Sequence, residues 1–263
     1  MKLQQNHRSF SYWVYRIVRW LVWLFYPRIT VEGQENLPDE PCIIVGNHSQ
    51  MNGPIIGQLY FPNNPRIWCA SQMMRIQEVP QYAYEDFWRD KPRLIRWFYK
   101  VLSYVIAPLC ACIFTNADTI AVYRDSRLIN TFKQTIQTLE DGTNVIIFPE
   151  CRQEHNCIIN QFQTHFIDIA KLYYKRTGKK LSFVPLYIAP KLRKIYIGKP
   201  VVFDADQAVD EERLRICRYL MDTITAIAMN LPRHRVVPYS NIAKHAYPWN
   251  KEKEDSSYET GNR

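Results

Sequence analysis

Two polar turns in this sequence carry side chains suited to acid–base chemistry and anion binding. The first follows the apolar run Cys42–Gly46 and contains Asn47 and His48. A strand ending in such a turn would place the imidazole at the carboxyl edge of a sheet, where α/β folds build their sites. The helix expected to begin near Pro54 disfavours positive charge at its N-terminus, so the ring would stay neutral and able to accept a proton near pH 7. A lone histidine here is equally compatible with a structural role.

The second turn follows the apolar run Asn144–Phe148 and presents Glu150 and Arg152. Arg124 comes just after another apolar run and adds a second guanidinium. If the strands are parallel, these turns meet at one sheet edge. Glu150 would then hydrogen-bond substrate hydroxyls, and Arg152 or Arg124 would hold a phosphate through a bidentate contact. The alternative is a structural ion pair between Glu150 and one arginine.

The elements that would position these turns alternate along the chain. The predicted strands are Cys42–Gly46, Ile67–Ala70, Thr119–Tyr123, Asn144–Phe148, Ser182–Ile188 and Lys194–Ile197. The predicted helices are Pro92–Ala107, Ser126–Glu140, Phe162–Arg176 and Asp210–Leu231. This alternation predicts an α/β fold with a central, mostly parallel or mixed sheet flanked by helices. We expect one domain over residues 28–249 and a disordered polar tail over residues 250–263.

The N-terminal segment, residues 1–27, is predicted to form an amphipathic, membrane-associated helix. Phe10–Tyr26 is almost entirely apolar or aromatic, but Arg16 and Arg19 interrupt it and Pro27 ends it. The run is too short and too charged to cross a bilayer easily. Aromatic rings at headgroup depth and arginines facing phosphates suit a helix lying in the plane of the interface. The alternative is a helix packed on the domain with its arginines in solvent.

The composition excludes several classes of protein. With 47% hydrophobic residues over 263 positions, the chain is neither disordered nor collagen-like. The net charge of +9 would attract anionic lipid or nucleic acid, but the cations are spread and no nucleic-acid motif is present, so a membrane surface is the expected partner. The seven cysteines lack the spacing of a zinc site, so we expect no metal. Without a secretory signal pattern, the protein is expected on the cytoplasmic side.

Four segments in order resemble the motifs of the glycerolipid acyltransferases, typified by the lysophosphatidic acid acyltransferases. The matching residues are Asn47, His48 and Pro54 in the first motif, Arg124 in the second, Phe148-Pro149-Glu150 in the third and Val184-Pro185 in the fourth. The resemblance extends over most of the chain from Ile29 to Pro200. Together, four motifs in order are more specific than any one of them.

The resemblance implies transfer of a fatty acyl group from a thioester of coenzyme A or acyl carrier protein to a hydroxyl of a lysophospholipid or glycerol-phosphate-like acceptor. His48 would be the general base, so neither an acyl-enzyme nor a cofactor is implied. We expect a monomer, attached peripherally or monotopically to the cytoplasmic face of the cell membrane.

Two positions depart from the family pattern. Gly53 stands where the family has an aspartate, so the carboxylate that would orient the imidazole is missing. The amide oxygen of Asn52 is the expected substitute, unless Asn52 caps the next helix. Cys151-Arg152-Gln153 replaces Gly-Thr-Arg, which moves the guanidinium by one residue and towards the opposite face of a strand. The alternative function is therefore a catalytically impaired relative that binds lipid or acyl chains without transferring them.

Overall fold

An eight-stranded sheet organises residues 9–88 and 92–252, the part of the chain that the computed structural model describes. The strands are β1 (Thr30–Glu32), β2 (Ile43–Gly46), β3 (Arg66–Ala70), β4 (Ile120–Val122), β5 (Val145–Ile147), β8 (Ser182–Ala189), β9 (Lys194–Ile197) and β10 (Val201–Val202), with β6 (Glu150–Glu154) and β7 (Asn160–Phe162) forming a separate hairpin. The helices are α1 (Phe10–Phe25), α2 (Asn52–Leu59), α3 (Val79–Ala83), α4 (Arg93–Asn116), α5 (Leu128–Glu140), α6 (Asp168–Thr177) and α7 (Val209–Asn230).

The strand order places the ends of several parallel strands at one edge of the sheet. The order is β1-β9-β8-β2-β5-β3-β4, and β10 pairs with β8. Pairing is parallel from β8 through β2, β5 and β3 to β4, whereas β9 and β10 run antiparallel to β8. The predicted α/β fold with a mostly parallel sheet is therefore confirmed. The turns after β2, β4 and β5 open on the same side, which is where open α/β sheets bind ligands.

Helices cover both faces of the sheet, and the buried strand β2 shows why. All four of its residues are buried, as expected for a parallel strand with helices on each side. Ile43 and Val45 pack into the larger apolar cluster, together with residues of α5, α6 and α7. Ile44 points to the opposite face, where it packs with Ile56 of α2. The alternation of side chains along one strand thus joins two apolar clusters through the sheet.

The residue that follows β2 fastens this strand to its neighbour. Asn47 is buried, and its Nδ2 donates to the carbonyl oxygen of Ile188 at 3.1 Å while the Ile188 N–H donates to its Oδ1 at 2.7 Å. The side-chain amide therefore continues the β2–β8 ladder for one more step beyond the strand. His48, the next residue, leaves the sheet from a fixed point.

Some predicted boundaries differ from those observed. α4 does not end before Pro108 but continues to Asn116. The part of α4 beyond the proline keeps packing on α1. There, the thiol of Cys112 in α4 donates a hydrogen bond to the carbonyl oxygen of Ser11 in α1 at 3.1 Å. Phe162 ends β7 instead of beginning a helix, and α6 begins at Asp168 after a short 3-10 turn. The β6–β7 hairpin was not predicted, since its exposed polar residues lack the alternation of a half-buried strand.

The two ends of the chain were predicted with unequal success. α1 forms as expected; Arg16 lies over the Trp13 ring, and Arg19 donates to the Gln58 carbonyl oxygen at 3.4 Å. Asn250 is fully buried and hydrogen-bonded, so the boundary predicted at residue 250 is too early. The predicted disordered tail otherwise falls largely on residues 253–263, which lie outside the described residues.

Candidate active site

A cavity of about 700 Å³ opens at the carboxyl edge of the sheet. Four of the five residues proposed from the sequence lie on its wall, together with aromatic and acidic side chains that were not proposed as site residues. These residues include His48, Arg124, Glu150 and Arg152 from the proposed set, and Tyr82, Asp86, Phe148 and Tyr239 from the others. Asn52 is not among the lining residues. The parallel strands thus bring together turns that are far apart in sequence.

The imidazole of His48 lies between two aromatic rings. The Phe148 ring centroid is 5.4 Å away at an interplanar angle of 63°, and that of Tyr239 is 5.9 Å away at 89°. Burial lowers the pKa of His48, and this effect exceeds the opposing influence of hydrogen bonds to the backbone of Gln50 and of the Asp86 carboxylate. The direction of this shift agrees with the neutral ring that we expected, but burial is its main cause, whereas the sequence argument relied on a helix N-terminus.

Glu150 holds two backbone segments together. Its side chain is buried; Oε1 accepts the His48 backbone N–H at 2.5 Å and Oε2 accepts the Asn160 N–H at 2.9 Å. Burial raises the pKa of Glu150 to about 7, although the two N–H donors act in the opposite direction. Neither arginine pairs with it in the described structure, so the alternative of a structural ion pair is wrong. Its proposed contact with substrate hydroxyls stays a prediction.

Asn52 has neither of the two roles considered for it. Its Oδ1 accepts the Tyr26 hydroxyl at 2.7 Å, and its Nδ2 donates to the Ser49 carbonyl oxygen at 2.9 Å. The amide oxygen therefore bonds the end of the N-terminal helical segment and not the imidazole. The capping role fails as well, because α2 begins at Asn52 itself and its N-cap, Met51, forms no side-chain cap hydrogen bond.

Gly53 is required by the shape of the turn. Its N–H donates to the His48 carbonyl oxygen at 3.1 Å, and an added Cβ would lie only 2.3 Å from that same oxygen. The preceding residues Ser49 and Gln50 have left-handed backbone angles, with φ of 50° and 56°. A carboxylate at position 53 would thus need a different turn. The aspartate of the family pattern is absent for a local steric reason.

The two arginines lie at the rim of the cavity. Arg124 is exposed and forms no ion pair with a carboxylate of the described residues. Burial raises the pKa of Tyr82 and of Tyr239, and the positive charge of Arg124 partly offsets this rise. Arg152 is also exposed and lies 4.0 Å from the Asp86 carboxylate. Both guanidinium groups therefore remain able to take up an anionic ligand. Among the described residues, no cluster of His, Cys, Asp and Glu could hold a metal ion.

The sequence analysis missed the segment that covers the His48 turn. Residues 232–250, which we call the C-terminal strap, follow α7 and contribute Tyr239 to the cavity wall. The Ser49 hydroxyl donates to the Val237 carbonyl oxygen at 3.3 Å, and the Gln50 Nε2 donates to that of Ser240 at 3.0 Å. The strap has almost no regular secondary structure, so no periodic pattern in the sequence could have revealed it.

Substitution of Glu150 tests its role in joining the two backbone segments. Glu150→Gln keeps one acceptor oxygen but turns an NH₂ group towards an N–H donor, and Glu150→Ala removes both acceptors. Each buried N–H left without a partner costs about 1–3 kcal/mol. The free energy of unfolding should therefore be lower in Glu150→Gln than in the wild type, and lower still in Glu150→Ala. Denaturant unfolding at fixed pH measures this. Glu154→Ala, an exposed change in the same hairpin, is the control, and equal stability of Glu150→Ala and Glu154→Ala would contradict the assignment.

No curated protein matches this sequence. A solved structure that it resembles is the crystal structure of the 1-acyl-sn-glycerophosphate (LPA) acyltransferase, PlsC, from Thermotoga maritima, with 19% identity, a TM-score of 0.42 and coverage of 86% of this chain and 84% of that chain. The family model described as Acyltransferase matches residues 28–189, more than half of the chain, and includes every residue proposed for the site. On the strength of that match, this chain belongs to the acyltransferase family.

Proposed function

We propose that this protein transfers a fatty acyl group from an acyl thioester to a hydroxyl of a lysophospholipid or glycerol-phosphate-like acceptor. The observation that carries the proposal is a half-buried imidazole of lowered pKa on the wall of a cavity that also bears two available arginines. A general base must be unprotonated at the working pH, and burial favours that state for His48. The thioester would be that of coenzyme A or of acyl carrier protein.

In the proposed reaction, a ring nitrogen of His48 removes the proton from the acceptor hydroxyl as its oxygen attacks the thioester carbonyl carbon. The carbon–sulfur bond breaks, an ester forms, and the thiolate leaves with the proton that His48 gives back. The donor is consumed as acyl thioester and released as free thiol, so the atoms balance without a covalent acyl-enzyme. The reaction requires only that base, acceptor and donor meet in the cavity.

Arg124 and Arg152 are proposed to hold the phosphate of the acceptor. A guanidinium presents parallel N–H donors that match two phosphate oxygens. Arg124 is free of carboxylates among the described residues, and Arg152 has only the distant contact with Asp86, so both can exchange water for phosphate at little cost. This supports an acceptor that carries a phosphate near its hydroxyl.

Two helices in contact are proposed to attach the protein to the cytoplasmic face of the membrane. α1 packs against α4, and each exposes apolar residues at intervals of three and four. On α1 these are Phe10, Trp13, Ile17, Trp20 and Leu24, and on α4 they are Leu94, Trp97, Val101, Tyr104 and Val105. α4 is long and apolar enough to cross a membrane, but its lateral contact with α1 favours an in-plane position for both. Exposed apolar stripes of this size are costly in water and favourable in lipid.

A catalytically impaired, lipid-binding relative remains the second candidate, and Gly53 favours it. The turn that carries His48 has no room for the family carboxylate, so the imidazolium formed during transfer lacks that stabilising charge. This candidate predicts membrane binding with no acyl transfer. The following experiment separates the two.

Replacement of His48 tests whether the imidazole is the general base. The assay uses purified protein in detergent micelles, a panel of lysolipids, and a labelled acyl group carried by coenzyme A or by acyl carrier protein. His48→Ala should lower the transfer rate by about 10²–10⁴-fold, which is the usual contribution of a general base. His245→Ala, which removes an exposed histidine of the C-terminal strap, is the matched control and should leave the rate unchanged. If wild type and His48→Ala both fail to transfer yet bind vesicles equally, the lipid-binding candidate is correct.

Charged substitutions on α4 test whether its exposed apolar stripe binds the membrane. Trp97→Glu combined with Val105→Glu places two charges on the exposed stripe of α4. The double change should lower the fraction of protein bound to phosphatidylglycerol vesicles about tenfold or more, because burying each apolar side chain in lipid contributes about 1.5–3 kcal/mol to binding. Vesicle sedimentation measures this fraction. Leu214→Glu, at an exposed leucine of α7, is the matched control. Equal loss in the control would mean that charge in general, and not the stripe, governs binding.

A further inference from the structure

We infer that the C-terminal strap takes over the positioning role of the missing aspartate, with Gln50, Tyr239 and Tyr247 as positioning residues for His48. In this arrangement the turn after His48 and the Tyr239 ring, both held by the strap, orient the imidazole where a carboxylate would otherwise do so. The inference builds on the proposed function, because it explains how His48 can serve as a base beside Gly53.

The turn after His48 needs external support. Ser49 and Gln50 are consecutive non-glycine residues with positive φ, a conformation that side chains with a Cβ disfavour. Such backbone persists only where surrounding contacts over-determine it, and it is frequent at functional sites. The direction of the peptide groups on either side of Gln50 therefore depends on what holds that residue.

The strap supplies the support through both ends of one side-chain amide. The Gln50 Nε2 donates to the Ser240 carbonyl oxygen at 3.0 Å, and the Gln50 Oε1 accepts the Tyr247 hydroxyl at 3.1 Å. Because both donor and acceptor are used, the amide has one orientation. The Ser49 hydroxyl adds a third bond to the strap, at the Val237 carbonyl oxygen.

The strap is itself anchored to the domain at both ends. Near its start, the Tyr187 hydroxyl of β8 and the Nε2 of His234 are 2.7 Å apart, and the His234 N–H donates to the Oδ1 of Asn250 at 2.8 Å. Asn250 in turn donates to the Ala228 carbonyl oxygen in α7 at 2.7 Å. The two ends of the strap thus close on each other and on the core. The anchored ends therefore keep the segment between them close to Gln50.

The ring of His48 has the partners that this role requires. The Tyr239 ring of the strap lies against the imidazole, with the ring centroids 5.9 Å apart at an interplanar angle of 89°. The backbone of Gln50 and of His48 itself acts to raise the pKa of the ring, against the larger effect of burial. A carbonyl that accepts a ring N–H fixes which nitrogen carries the proton, and the other nitrogen keeps its lone pair. Other titratable or charged groups on the same cavity wall are Tyr82, Asp86, Tyr123, Arg124, Glu150, Arg152 and His165. Among these the charge of Asp86 acts on His48 to raise its pKa.

Tyr247→Phe is the sharpest test, because it removes one hydroxyl and leaves the ring in place. Nitrogen NMR of the histidine-labelled full chain in detergent micelles reports the tautomer and titration of His48, which is identified by the signal lost in His48→Ala. We expect one dominant neutral tautomer in the wild type, and in Tyr247→Phe a mixture of tautomers with a kcat at least tenfold lower and a nearly unchanged KM. Gln50→Ala should have a larger effect, whereas Tyr239→Phe should resemble wild type in the tautomer because the ring contact is kept.

Tyr219→Phe is the matched control, because it removes a hydroxyl bonded to the Lys199 carbonyl oxygen away from the cavity. It should leave the tautomer and kcat unchanged. A wild-type tautomer and titration in both Tyr247→Phe and Gln50→Ala would overturn the inference. Should Gln50→Ala fail to fold, Tyr247→Phe alone decides. The NMR result does not depend on turnover, so an inactive wild type with a strap-dependent tautomer would refute the proposed function and leave the positioning role intact.

Discussion

The buried carboxylate of Glu150 is the interaction on which the rest of the site depends. It accepts backbone N–H groups from the His48 turn and from β7, so one side chain joins the loop after β2 to the hairpin after β5. Both donors come from segments outside the main sheet, whose ladders cannot hold them. Because the two loops approach at the edge where parallel strands end, this single group fixes the floor of the cavity. Desolvation raises its pKa to about 7. This shift reflects the energetic cost of burying a carboxylate.

Charge is distributed unevenly over the cavity. The inner wall carries the imidazole, whose pKa burial lowers, beside two aromatic rings, while the guanidinium groups of Arg124 and Arg152 lie at the rim. A base is more effective where water is excluded, and an anionic headgroup is bound more readily where cations stay hydrated. The proposed division of labour between inner wall and rim follows from burial. It also suits a substrate whose phosphate remains near the aqueous surface.

The sequence predicted the parts of this structure that follow from periodicity. Strands such as Val145–Ile147 are short apolar runs between helices, and their parallel pairing brings Glu150 to His48 as expected. Features that depend on tertiary contacts were out of reach. α4 continues past Pro108 because α1 packs on it, and the C-terminal strap is fixed by hydrogen bonds to residues about 190 positions away, such as Gln50 to Ser240. Gly53 was recognised as a departure, but only the geometry explains it, since the added Cβ would meet the His48 carbonyl oxygen.

The pH dependence of acyl transfer tests most directly whether His48 is the base. The acceptor should be lysophosphatidylglycerol, whose phosphodiester does not titrate near neutrality. Because burial lowers the pKa of His48 and only the unprotonated ring can act, kcat/KM should rise with pH through one ionisation below the ordinary value of 6.5 and then level off. A midpoint near 7 that disappears in Glu150→Gln would assign the ionisation to Glu150, and a rate independent of pH would exclude a titrating base; either result would contradict the account.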